Sequence, residues 1–149
     1  MSKTRQQILD DIKTAMKSGQ KLRLATLRLV SAAIKQREVD ERAELDEDSV
    51  IAILDKLLKQ RRESIAQYTK AGRDDLVEQE QTEAELIQTY LPAPLDDTQI
   101  AEMIETAVVQ TGASSVKDMG KVMGALKPQL QGRADMSKVS QQIKTRLNT

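Results

Sequence analysis

The chain has 149 residues, enough for one domain or two small ones with a real apolar core. It contains no Cys, His, Trp or Phe, which excludes a disulfide framework, the ordinary His/Cys zinc sites and the Ser-His-Asp or Cys-His nucleophilic triads. Its net charge is zero but blocked along the chain, with a surplus of about +5 in residues 1–40, about −10 in residues 41–110 and about +5 in residues 111–149.

Strong helix formers dominate and no alternating strand pattern lasts, so the chain reads as all α. A first helix is expected from about Ser2 to Lys17, with Ile8, Ile12, Ala15 and Met16 inward and Gly19 as its stop. A second runs from about Gln20 to Arg37. Its apolar residues, from Leu22 through Ile34, cover almost every helical direction, the pattern of a helix packed on several sides. An acidic connector, Glu38 to Glu47, leads to a third helix from about Asp48 to Ala71, stopped by Gly72. The fourth, about Arg73 to Leu91, turns Leu76, Ala84, Ile87 and Leu91 inward and a strongly acidic face outward.

Leu91-Pro92-Ala93-Pro94-Leu95 is the expected domain boundary, because closely spaced prolines make a stiff, extended joint. Residues 1–91 then form a four-helix unit and residues 95–149 a three-helix one. Asp96 with Gln99 reads as a capping-box variant opening a helix with Ile100, Met103, Ile104, Ala107 and Val108 inward, broken at Thr111-Gly112. Ser115, with Asp118 three residues on, is expected to open the next helix, which reaches about Leu130 and is bent near its end by Pro128. After a loop at Gly132, Asp135 caps a last helix lined by Met136, Val139, Ile143 and Leu147.

No apolar run approaches the roughly 20 residues that span a bilayer, and no membrane role is expected. The opening residues, with Asp10 and Asp11 in an amphipathic pattern, fit neither a secretory signal nor an acid-poor transit peptide. The expectation is a cytoplasmic protein.

Local charge of one sign is what a polyanion reads, so the basic last block is the first candidate site. Lys117, Lys121, Lys127, Arg133 and Lys138 supply cations there, and Gly120 and Gly124 lie on the lysine side of the sixth helix. Each interior glycine costs roughly 0.8–1.0 kcal/mol relative to alanine. Two things could offset that: close approach of a sugar–phosphate backbone, or close packing against a neighbouring helix. Arg133, in a loop, could contact phosphate in a bidentate manner or be incidental to the turn. Lys56, Lys59, Arg61 and Arg62 form a second basic cluster, and Glu80 and Glu83 an acidic one that more simply pairs with basic helices than binds a metal. No metal site, no cofactor and no catalytic residue is assigned, since no phosphate-cradling glycine loop or dinucleotide fingerprint is present.

Several segments carry a family resemblance. Asp11-Ile12-Lys13-Thr14-Ala15-Met16-Lys17, Leu24-Ala25-Thr26-Leu27-Arg28-Leu29, Lys59-Gln60-Arg61-Arg62-Glu63-Ser64, Ala71-Gly72-Arg73 and Tyr90-Leu91-Pro92 resemble the YqeY-like proteins. Thr111-Gly112-Ala113-Ser114-Ser115 and Met119-Gly120-Lys121-Val122-Met123-Gly124 extend the likeness over nearly the whole chain. The C-terminal glycine pattern is also similar to the helical tail domain of the B subunit of glutamine-dependent Asp/Glu-tRNA amidotransferase. The resemblance implies an N-terminal four-helix unit and a C-terminal three-helix bundle of the GatB/YqeY type. It further implies a tRNA-binding, amidotransferase-like accessory protein, with tRNA and amidotransferase or aminoacyl-tRNA synthetase components as partners. The associated activity is carbon–nitrogen ligation with glutamine as amido-N-donor, but catalysis by this chain alone is not expected. A helical protein–protein adaptor is the alternative.

Overall fold

The structure is a computed structural model that describes residues 2–148. Met1 and Thr149, the outermost residues of the two expected domains, lie outside the described residues. Among the described residues there are seven α-helices, one short 3-10 turn and no strand: α1 (Lys3–Ser18), α2 (Lys21–Glu41), α3 (Glu47–Lys70), α4 (Asp74–Gln88), α5 (Asp97–Thr111), the turn Val116–Asp118, α6 (Met119–Leu130) and α7 (Met136–Leu147). No helix among these residues is long and apolar enough to cross a membrane. The chain divides into two compact units, Met1–Leu91 and Pro92–Thr149.

In the first unit, Ser2 caps α1 by accepting the Arg5 N–H, and Gly19 ends it in the left-handed conformation at φ 68°. Ile8 and Ala15 turn inward as their spacing requires, whereas Met16 stays 55% exposed. Asp46 caps α3 by accepting the Ser49 N–H. The core gathers Leu27, Val30, Leu54, Leu58 and Ile87 with these α1 residues. Polar stitches run between the helices: the Glu47 carboxylate accepts the Ser2 hydroxyl at 2.8 Å and the Thr4 N–H at 3.3 Å. Tyr90 donates its hydroxyl to Asp11.

Helix α2 departs from expectation twice. It continues beyond Arg37 to Glu41, because Glu38 is held in the helix by Arg5 and by the Leu45 N–H, each at 3.1 Å. It packs against α1, α3 and α4, but not all of its apolar residues are covered. Thr26, Leu27, Val30 and Ile34 are buried, but Leu22 and Leu29 keep 46% and 44% of their surface in solvent. Helix α4 ends at Gln88, short of Leu91, where residues 89–91 turn ahead of Pro92.

In the second unit, Asp96 and Gln99 form a complete capping box at α5, and Gly112 stops it at φ 68°. Ile104, Val108, Val122, Leu126, Val139 and Ile143 are all buried and make the core. Pro128 lies inside α6, and Asp135 caps α7 through the Ser137 N–H.

Candidate nucleic-acid interface

Helix α6 positions the central part of the site. Val122, Leu126 and Leu130 are buried and fix which side of the helix meets the core. At about 100° per residue, the opposite side is then centred on Gly124, with Gly120 and Pro128 one turn away on the same ridge. All three are exposed. A Cβ placed on Gly120 or Gly124 would meet no heavy atom within 4 Å. Neither glycine is therefore there for close packing with a neighbouring helix. Lys121 and Lys127 are also exposed and stand about 60° to either side of Gly124. The result is a strip almost free of side chains with an ammonium group on each flank.

Pro128 belongs to this strip in a way that its reading as a bend missed. It has no N–H to give the Gly124 carbonyl, which loses its usual helical partner on a face without side chains. The spacing Gly120-Gly124-Pro128, four residues apart each time, is the signal that could have found it.

The remaining expected residues are not all on this face. Lys117 is exposed but lies on the 3-10 turn before α6, because Asp118 does not continue a helix opened by Ser115. Instead the Asp118 carboxylate accepts the Ser114 N–H at 2.9 Å, and that bond outweighs desolvation in holding its pKa down. Lys121 approaches Asp118 only to 3.8 Å while 69% exposed, a loose pair that an incoming anion can displace. Arg133 turns to its own unit: its Nε donates to the Ala93 carbonyl at 3.3 Å, and its own carbonyl accepts the Leu95 N–H at 2.9 Å. It clasps residues 93–95 to the α6–α7 turn. Lys138 opens α7 and lines a separate groove of about 720 Å³ with Ile104 and Glu105 of α5.

The second basic cluster is partly consumed in the first unit. Arg61 reaches Glu83 at 2.8 Å and Glu80 at 3.4 Å, all three side chains less than one-fifth exposed. Burial and the neighbouring Glu83 carboxylate push the Glu80 pKa up. Among the described residues no group of three or more acidic side chains is disposed to hold a metal ion.

An all-helical chain with a lysine-flanked, glycine-lined helix face can now be set beside known proteins. The family model described as Yqey-like protein matches residues 5–147, and the chain belongs to that family. It is similar to proteins named altered inheritance of mitochondria protein 41, mitochondrial. With that of Eremothecium gossypii it shares 45% identity over 84 residues, 56% of this chain and 46% of the relative. With that of Vanderwaltozyma polyspora it shares 34% over 116 residues, 73% and 63% respectively. With that of Pyrenophora tritici-repentis it shares 30% over 139 residues, 89% and 75%. The chain thus spans about half the length of the first of these curated relatives and under two-thirds of the second.

The names correct the cytoplasmic expectation, since these relatives are named as mitochondrial. That expectation leaned on the charge pattern of the opening residues. A compartment address is read apart from the packed helices and leaves no mark on their cores.

Proposed function

We propose that the chain is an RNA-binding accessory protein that lays the bare face of α6 against a sugar–phosphate backbone. Transfer RNA is the class implied by the resemblance to the amidotransferase tail. In this reading residues 95–149 are a three-helix domain of the GatB/YqeY type, and residues 1–91 are an N-terminal helical domain. Any glutamine-dependent amide transfer is carried out by partner subunits, amidotransferase or aminoacyl-tRNA synthetase components.

One observation carries the proposal: Gly120 and Gly124 front open space between two exposed lysines. Two helix-weakening residues that pack against nothing are accounted for by a backbone that must come close. Lys117, Lys121 and Lys127 provide the phosphate contacts, and the Gly124 carbonyl, denied an N–H by Pro128, suits a ribose 2′-hydroxyl as donor. With only two Tyr in the chain, base stacking contributes little, so affinity is electrostatic.

The test is filter binding of purified protein to unmodified tRNA over a salt series. Wild type should bind saturably at low salt. The variant Lys117→Ala/Lys121→Ala/Lys127→Ala should lose about tenfold or more in affinity and flatten the log–log salt slope by about 2 to 3. A DNA strand of the same sequence should bind more weakly. Absence of saturable binding at low salt, or a triple variant indistinguishable from wild type, rejects the reading.

A further inference from the structure

The face of α2 turned away from the core has a pattern of its own. Leu22, Ala25, Leu29, Ala32, Gln36 and Val39 are all exposed, and their alternating spacing of three and four is the heptad spacing of a coiled-coil seam. Val39 keeps 63% of its surface in solvent. At about 1.5 Å per residue the seam is about 26 Å long. Lys21, Arg28 and Lys35 recur every seven residues along one edge of it, exposed and in no ion pair among the described residues. A concavity of about 540 Å³ opens beside Leu22, lined also by Thr26, Leu86 and Thr89.

A helix with one face buried and exposed apolar residues in heptad register on the opposite face lacks a neighbour there. We propose that this face of α2 docks an amphipathic helix of another protein, one whose apolar seam is edged by Asp or Glu. Charge decides the occupant. Antiparallel pairing with a second copy would set Lys21, Arg28 and Lys35 against the same three cations. Parallel pairing would set Lys21 and Arg28 against the positions of Thr26 and Ala33, which are turned to their own core, and only Lys35 against an acid, Asp40. An acidic edge neutralises all three cations and lets both leucines leave water. RNA would engage the cations and leave the leucines wet. The inference does not depend on the α6 site.

The test uses the full chain and two synthetic helical peptides of about four heptads, identical in their leucine seam, one edged with Glu and the other with Lys. Fluorescence anisotropy should show saturable binding of the Glu peptide and about tenfold or more weaker binding of the Lys peptide. Leu22→Asp/Leu29→Asp should abolish binding with helicity unchanged by circular dichroism, and Leu29→Ser provides a milder variant should the double one unfold. Lys21→Glu/Arg28→Glu/Lys35→Glu should reverse the preference between peptides. Lys121→Ala/Lys127→Ala should leave it intact. The proposal is overturned by equal binding of the two peptides, by no saturable binding of either, or by indifference to the leucine variants. It is equally overturned by a homodimer that Leu29→Ser dissolves, or by RNA competing for the cations of both wild type and leucine variants.

Discussion

The two units solve the problem of surface charge in opposite ways. In the first, acidic side chains are drawn between helices and used as joints: Glu47 ties Ser2 and Thr4 of the α1 start to α3, Glu38 ties Arg5 to the chain at Leu45, and Glu83 holds Arg61. In the second, the core is apolar throughout, and the ion pair between α5 and α7, Glu105 with Arg146, lies at the surface with 53% and 41% exposure. The second unit's helices are held mainly by aliphatic packing, and Lys121 and Lys127 stay at its surface. In the first unit the joint at Arg61 leaves Lys56, Lys59 and Arg62 of α3 exposed.

The largest effect expected from this contrast follows truncation of the second core. Leu126 is 1% exposed and sits among Val122, Leu130 and Ile143. Leu126→Ala should cost about 2–5 kcal/mol, read as a lower urea midpoint by circular dichroism. A change below 1 kcal/mol would mean that the site collapses on itself and that aliphatic packing is less decisive than argued.

Next in size is the removal of a joint from the first unit. Glu47→Gln keeps the shape but withdraws the charge that the Ser2 and Thr4 donors face, and should cost about 1–3 kcal/mol at neutral pH. The same residue sets a pH dependence. Burial raises the Glu47 pKa, but the Thr4 and Ser2 hydrogen bonds outweigh it and hold it below the ordinary 4.5. Glu38 is lowered likewise, burial being overcome by the Leu45 N–H and Arg5. The unfolded chain therefore binds protons that the folded one resists. This stabilisation is complete above the ordinary carboxylate range and is lost as pH falls through the depressed folded values. Glu80 runs the other way, its folded pKa being raised. Acid titration of the melting temperature should show a steeper loss below pH 4.5 in wild type than in Glu47→Gln. Glu80→Gln should leave neutral-pH stability equal or higher, whereas Glu83→Gln, which weakens the 2.8 Å bond to Arg61, should lower it.

What the sequence disclosed sorts by the range of the interaction. Local chemistry was readable: the Asp96–Gln99 box, the stops at Gly19 and Gly112 and the cap at Asp135 all depend on residues within one turn. Long-range choices were not. Leu22, Leu29 and Met16 look like core residues by type, and only the placement of the other helices decides that nothing covers them. Lys117 lies on a 3-10 turn rather than on the helix expected from Ser115, because Asp118 accepts the Ser114 N–H. The partner of Arg133, the Ala93 carbonyl, is 40 residues away, beyond any local pattern. The basic surplus of the last block was legible, but which cations stand free was a question of packing.

The smallest and sharpest effect concerns Gly124. Because nothing lies within 4 Å of an added Cβ, alanine there meets no steric cost and should stabilise α6 by about 0.8–1.0 kcal/mol through helix propensity alone. If Gly124→Ala raises the melting temperature and weakens tRNA binding in the same preparation, the glycine is kept for the approach of a ligand. A lower melting temperature would instead tie the glycine to Pro128, whose ring crowds the carbonyl four residues before it and benefits from a pliable backbone there. The two measurements together separate a surface shaped for contact from a helix accommodating its own proline.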